Sequence, residues 1–393
     1  MKQNNRIKVL VIPSWYPCQN NIINGVFFKE QVEALSGYGV NVGVIYAETQ
    51  LGLRNISLSK LRSYHFQTMK ILEDGVFTYR FMGYSFPPKI RVLKNKFWID
   101  RMVKLADKYI GNNGIPDVIH AHSVLWGGYV AYIVSKKYSI PYIVTEHFSG
   151  LARGLISKRE KLYAFKVFDN SRNIVCVSNS LKNLLENQYS VHNSIVIPNM
   201  VDTEFFYKGS RKCDSEHIFT FLDVCFLTKN KGVDVLINAF YRAFRYDNKV
   251  VLHIGGNGEE LPKLKELVKK LKIEKKVIFL GELDREKVRH EMQKANCFVL
   301  SSHFETFGVV VIEALSTGCP VIATKCGGPE EILNKDIGVL TEKGDVEKLS
   351  QAMKYVYNNY NKYNSDSIRK YTIKNYSKES VCKEIVNLYR KII

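Results

Sequence analysis

Two carboxylates, Glu305 and Glu313, bracket the stretch ETFGVVVIE. What they could do together depends on the backbone between them. A continuous strand would hold them roughly 27 Å apart, too far for one ligand. A continuous helix would point them about 80° apart and set them about two turns from each other. A loop that turns into a helix is different. It exposes the N–H groups of a helix start, which receive an anion, with one acid ahead of that anion and the other beside it. Such a site suits a molecule with hydroxyls at both ends and phosphates in the middle.

The flanking sequence supplies that turn. CFVLSS (297–302) reads as a strand ending at Ser302, and PVIATK (320–325) as another, opening after Gly318 and Pro320. Parallel neighbours need a crossover, and Phe307 to Thr317 is the segment available for it. A helix is therefore expected there, against the strand preference of VVVI. Glu305 then lies on the loop leaving a strand, Phe307-Gly308 opens the helix, and Glu313 stands roughly 7 Å along its axis.

The same alternation runs through the chain. IKVLVIP (7–13), VNVGVIY (40–46), DVIHAHS (117–123), PYIVTEH (141–147) and NIVCVSN (173–179) form one series of strand candidates. FTFLDVC (219–225), KVVLHIG (249–255), KVIFLG (276–281), CFVLSS and PVIATK form a second. Helical patterns lie between them, so two doubly wound α/β domains with parallel sheets are expected. At 393 residues the chain is too long for one core, which agrees. The boundaries read as 1–202 for the first domain, joined by a C-terminal helix over 377–393, and 203–376 for the second. In that last helix Val381, Ile385, Leu388 and Ile392 recur at helical spacing.

Composition bounds the partners. No apolar run reaches the length of a bilayer span, and IKVLVIP reads as a buried first strand rather than a signal core. The eight cysteines form no C-x-x-C pair, and Cys176, Cys225 and Cys297 sit in strand-like runs. A cytoplasmic protein without a disulfide framework or structural zinc is expected. The net charge of +19 favours an anionic partner or surface. Nucleic acid, acidic lipid and nucleotide-sugar phosphates all fit it. With no recognition motif and with the charge spread along the chain, no nucleic-acid partner is expected.

Between residues 86 and 109, Trp98, Met102, Leu105 and Tyr109 recur at helical spacing among basic residues. Two readings stand: a core-facing helix with a solvated basic face, or a surface docking on an anionic membrane at its inner face. His120 and His122 share one strand face, for structure or for ligand. Glu330 and Glu331 follow Gly327-Gly328-Pro329, where acids favour a helix start.

With the frame SSHFETFGVVVIEALSTGCPVIATKCGGPEEI (301–332) around the two acids, the sequence resembles the retaining glycosyltransferases of family 4. The resemblance runs from Arg6 to the final helix. It implies the GT-B fold: two Rossmann-like domains facing a cleft, with the C-terminal helix returning to the N-terminal domain. It also implies transfer of a sugar from a nucleotide diphosphate sugar, UDP- or GDP-linked, to a saccharide or lipid-linked acceptor. The donor is a co-substrate, and no cofactor is implied.

Residue by residue, the resemblance places Glu305 beside the donor sugar and Glu313 on the ribose hydroxyls. The Phe307 and Gly308 amides approach sugar and diphosphate, and Lys231, in KNKGVDVLINAF, binds the diphosphate. Gly256 belongs to the nucleotide-side loop GGNGEE, and Gly25 approaches the donor phosphates or the acceptor. His147 lies near the donor sugar. Catalytic roles thus fall on Glu305, Lys231 and His147. No Asp-x-Asp occurs in the chain, which fits a site without metal. Two departures stand out. Met200 replaces a usual glycine, and Cys225-Phe226 replaces a Gly-Arg pair whose arginine binds the diphosphate. A differently built clamp, with Lys231 taking most of the load, is expected. An epimerase or phosphorylase is the enzymatic rival, and a nucleotide-sugar or glycan binder with little turnover is the rival suggested by Phe226.

Overall fold

The computed structural model describes residues 6–18, 24–51, 67–85, 91–209 and 218–393. Residues 86–90 of the basic aromatic stretch and 210–217, within the polar, turn-rich run after VDTEFF (201–206) that reads as a linker, lie outside them. The chain divides into two compact units. The first comprises Met1–Val177, Lys182–Ile197 and Cys382–Ile393; the second comprises Ser178–Leu181 and Pro198–Val381. Residues 198–202, expected in the first domain, belong to the second unit, where Val201 pairs with Ser377.

The first unit holds an eight-stranded sheet. Its strands are β1 (Lys8–Pro13), β2 (Asn41–Leu51), β3 (Gln67–Glu73), β4 (Val76–Ser85), β5 (Val118–His122), β6 (Tyr142–Glu146), β7 (Asn173–Cys176) and β8 (Ser194–Val196). Their order is β3-β4-β2-β1-β5-β6-β7-β8. Every pairing is parallel except β3 with β4, which form an antiparallel hairpin at the edge. Val9 to Ile12 of β1 are fully buried, as expected of a strand covered on both faces.

The second unit holds β9 (Phe219–Val224), β10 (Val250–Gly255), β11 (Val277–Gly281), β12 (Cys297–Leu300), β13 (Val321–Thr324) and β14 (Gly338–Thr341). The sheet is parallel throughout, in the order β11-β10-β9-β12-β13-β14. Its core joins Phe221, Leu252 and Val299 from the strands to Leu236 and Phe240 of the Val233–Phe244 helix. Between β12 and β13 runs the helix Val309–Ser316, with Gly308 ahead of it at φ +97° and Gly318 after it at φ +76°. The crossover requirement overrode the β-branched preference of VVVI.

The final helix, Lys378–Ile392, begins in the second unit and ends in the first. There Tyr389 is buried with its hydroxyl 2.6 Å from His120 Nδ1. The helix Arg91–Asn113 packs on β2 and β4, burying Met102, Leu105 and Tyr109, while Trp98 Nε1 donates to Ala47 O at 2.9 Å. The apolar stripe that a membrane-docking helix would need is thus used inside the protein.

Candidate active site

In the second unit, the ends of β9 and β12 hold two loops that are stitched together. His303 N donates to Asn230 O, Asn230 Nδ2 to Phe304 O, and Ser301 Oγ to Lys231 O. Gly232 sits at φ +62°, and a Cβ there would lie 2.4 Å from Ser301 O, so the loops approach as closely as glycine permits. The stitching brings Lys231 and Glu305 together: Lys231 Nζ donates to Glu305 Oε1 at 2.6 Å. Ser302 Oγ donates to the same oxygen at 2.7 Å. Burial works against the Lys231 ammonium, but Glu305 outweighs it, and the pKa is raised. The lysine is a fixed positive charge.

A third loop braces Glu305. Its backbone N–H donates to Cys326 O, and Gly328 N donates to Glu305 O. A Cβ on Gly328 would fall 2.2 Å from Phe307 Cα. The Glu330 carboxylate accepts from Cys326 N and Gly327 N, and Glu331 accepts from Asn179 N, Asn179 Nδ2 and Ser180 N. Both acids tie backbone down.

From this braced loop the chain enters the Val309–Ser316 helix, whose first N–H groups have no intrahelical acceptor. Glu313 projects from that helix half-buried, and desolvation pushes its carboxyl up to about 7 against the pull of Arg285. Arg285 itself stacks on the rings of Phe205 and Phe206. Two acids, a lysine and a helix start are therefore collected in one unit.

Gly256 has a different immediate duty. At φ +125°, a Cβ there would fall 1.9 Å from Cys225 O. The glycine lets the 256–258 loop lie against the 225–227 loop, where Leu227 N donates to Asn257 O. Gly256→Ala should cost about 3 kcal/mol of stability through backbone displacement. Urea unfolding checks this, and an unchanged midpoint would contradict it. Phe226, 64% exposed, holds its ring out to solvent.

Beneath the pair lies Asp223 on β9, 3% exposed, accepting from Cys225 Sγ at 3.3 Å. Desolvation raises its carboxyl to about 7; the Cys225 bond and Lys231 oppose the rise and Glu305 adds to it. An acid whose folded pKa is raised stabilises the fold most at low pH. That stability is lost as pH climbs from the unfolded value toward 7. Between pH 5 and pH 8 the loss from Asp223 is on the order of 3 kcal/mol. Asp223→Asn should flatten the fall in melting temperature over that interval. An unchanged slope would contradict the assignment, since Glu313 and Glu146, both also raised to about 7, would then carry all of it.

In the first unit, the ends of β1, β5 and β6 meet. Gly25, at φ +79°, opens the Val26–Gly37 helix, and a Cβ there would fall 2.6 Å from Trp15 O. His147 follows β6, its Nε2 3.4 Å from His122 Nδ1 and its ring near those of Phe27 and Phe28. Glu146 is fully buried and accepts from the N–H groups of Val124 and His147 at 2.8 Å and Phe148 at 2.5 Å. Burial still drives its carboxyl up to about 7. His120 is held between Tyr389 and Thr145, and burial lowers it to about 3, so it is a structural histidine. Of the residues singled out from the sequence, Gly25 and His147 stand in the first unit. Lys231, Gly256, Glu305, Phe307, Gly308 and Glu313 stand in the second.

This constellation can be set against known proteins. The model described as Glycosyltransferase Family 4 matches residues 25–205, and that described as Glycosyl transferases group 1 matches residues 212–375. An uncharacterised glycosyltransferase of Methanocaldococcus jannaschii is 30% identical over 274 residues, covering 69% of this chain and 74% of its own. The chain belongs to the group 1 glycosyltransferases. Solved structures agree on the fold. Sucrose-phosphate synthase from Thermosynechococcus elongatus superposes with a TM-score of 0.78 at 18% identity over 98% of both chains. HepE of Anabaena, in complex with UDP and glucose, gives 0.74 at 18% identity over 98% of this chain and 100% of its own. This glycosyltransferase has the GT-B fold.

Three groups of the candidate site were not singled out from the sequence. Ser302 and Arg285 left no signal, being ordinary residues at a strand end and a helix start. Asp223 did leave one: a lone charge inside the apolar run FTFLDVC. A charge there is either paired or driven toward neutrality.

Proposed function

We propose that this glycosyltransferase is a retaining enzyme that moves a sugar from a nucleotide diphosphate sugar, UDP- or GDP-linked, to a saccharide or lipid-linked acceptor. The observation that carries the reading is the Lys231–Glu305 pair, 2.6 Å long, set at the mouth of the helix that bears Glu313. A phosphate that displaces Glu305 from Lys231 gains a fixed cation and the positive end of a helix. HepE, of the same fold, is described in complexes with UDP and with UDP-glucose, which supports a donor of this class.

In this reading the bond from the anomeric carbon to the phosphate oxygen breaks as the acceptor oxygen bonds on the same face. The diphosphate gains negative charge, which Lys231 and the helix start stabilise. The departing phosphate oxygen takes the acceptor's proton, so no side chain acts as general base. Glu305, freed from Lys231, faces the sugar, Glu313 holds the ribose hydroxyls, and Gly256 shapes the nucleotide side. For the first unit the resemblance implies the acceptor side, with His147 near the donor sugar and Gly25 near the donor phosphates or the acceptor. The positive charge at the leaving group comes from the protein, so turnover needs no metal. Transfer in the presence of EDTA, with product anomers assigned by NMR, tests both points. An α-linked donor should give an α-linked product; a β-linked product or loss of activity in EDTA would contradict the reading.

The exposed Phe226 favours a second reading, a binder of nucleotide sugars with little turnover. Tight donor binding without product, whatever the acceptor, would select it. Peripheral contact with an anionic membrane is part of the proposal, supported by the +19 charge and by exposed Val92 and Leu93. No helix among the described residues is long and apolar enough to cross a membrane. Co-sedimentation with acidic but not neutral vesicles is expected, and equal recovery in both supernatants would remove this element.

A further inference from the structure

In the first unit a cavity of ≈ 600 Å³ opens between the starts of three helices: Arg91–Asn113, Tyr129–Tyr138 and Lys158–Asn170. These helices follow β4, β5 and β6, so the cavity lies at the carboxyl edge of the parallel strands, where α/β sheets bind ligands. Trp126, Tyr129 and Tyr163 line it as one aromatic cluster, with Tyr163 4.5 Å from Tyr129 and 5.4 Å from Trp126 between centroids. Its volume and aromatic lining are those of a small-molecule pocket.

The charges decide the ligand. The cavity is lined by Lys96 and Arg159 but also by Asp100 and Glu160, two against two, in a chain of net charge +19. Glu160 also accepts from Ser157 N and Oγ, capping the Lys158–Asn170 helix, and its charge with that of Asp100 offsets Lys96 and Arg159, so the rim offers an anion no net positive charge. Aromatic faces beside balanced donors and acceptors match a neutral polyhydroxyl compound, whose C–H faces stack while its hydroxyls bond the rim. The cavity also joins the candidate reacting centre through the chain. Trp126 stands two residues after Val124, whose N–H is anchored by the Glu146 carboxylate beside His147.

We propose that this aromatic cavity binds a neutral oligosaccharide, holding acceptor sugars remote from the hydroxyl that reacts. The inference rests on the saccharide-acceptor reading above and narrows it to an uncharged chain stacked on Trp126 and Tyr163.

The test uses the full chain on an array of neutral and acidic oligosaccharides, with anionic and neutral vesicles in parallel. At least one neutral oligosaccharide should bind. Its affinity should fall about tenfold in Trp126→Ala and Tyr163→Ala, the size expected for one lost stacking partner. Arg159→Ala, at an exposed residue, should weaken it without altering the melting temperature, which keeps the test valid if an aromatic variant unfolds. Glu313→Ala should bind the oligosaccharide as the unaltered protein does, so failure of the donor reading leaves this result standing. Binding by no neutral member, or binding indifferent to all three cavity substitutions, would overturn the proposal. So would recruitment to anionic vesicles that depends on Trp126, which would assign the cavity to a lipid.

Discussion

Lys231→Ala lowers kcat by about 10²–10³, the loss that follows removal of one preorganised donor to a developing negative charge. The expectation is large because Phe226 offers no second cation where an arginine would otherwise help, and Lys229 is exposed. The same substitution costs stability, since Glu305 loses its cation and keeps only the Ser302 hydroxyl on that oxygen. A charged hydrogen bond of this kind is worth about 1–3 kcal/mol. The two effects separate in the double variant Lys231→Ala with Glu305→Gln. Neutralising the glutamate should recover most of the stability and none of the activity. Lys231→Arg keeps the charge but brings a planar fork to a site shaped for a point charge, so partial activity is expected. Steady-state kinetics beside urea unfolding checks the set. A kcat within threefold of the unaltered enzyme would remove Lys231 from the chemistry.

Glu313→Ala should act on binding rather than on turnover. A carboxylate that accepts from two ribose hydroxyls contributes about 1.5–3 kcal/mol, so the donor KM should rise about 10- to 100-fold with kcat little changed. The pH dependence carries the same residue's signature. With its carboxyl raised to about 7 by burial, Glu313 holds a proton below that pH in the donor-free enzyme. The ionised form is the better acceptor, so kcat/KM should climb as pH rises to about 7 and then level. Glu313→Gln, which cannot titrate, should lose that limb. A limb that survives unchanged in the glutamine variant would belong to Glu146 or Asp223, both raised to about 7, and would contradict the assignment.

What could be read from the sequence follows from which constraints are local. The Val309–Ser316 helix was legible because β12 and β13 are parallel neighbours and only one segment could cross between them. The meeting of Lys231 with Glu305 was legible only through the family resemblance, since 74 residues separate them and nothing in either segment names the other. The β3–β4 hairpin went unread although Asp74-Gly75, with both residues at positive φ, marks a two-residue turn. The membrane reading of residues 86–109 leaned on a stripe of apolar residues, and a stripe looks the same whether it faces lipid or its own core. Met102 and Tyr109 face the core. His120 was ambiguous for a similar reason: its partner Tyr389 arrives from a helix 269 residues away.

The central claim is that a nucleotide diphosphate sugar binds across Lys231, Glu305 and Glu313. Thermal stability of the purified protein against UDP-, GDP-, ADP- and CMP-linked sugars tests it most directly, with Lys231→Ala and Glu313→Ala alongside. A ligand that binds only the folded state raises the melting temperature by mass action. The account predicts a rise with one nucleotide class, UDP or GDP, that is reduced in both variants. A folded protein whose melting temperature responds to none of the four, or variants that respond as strongly as the unaltered protein, would contradict it.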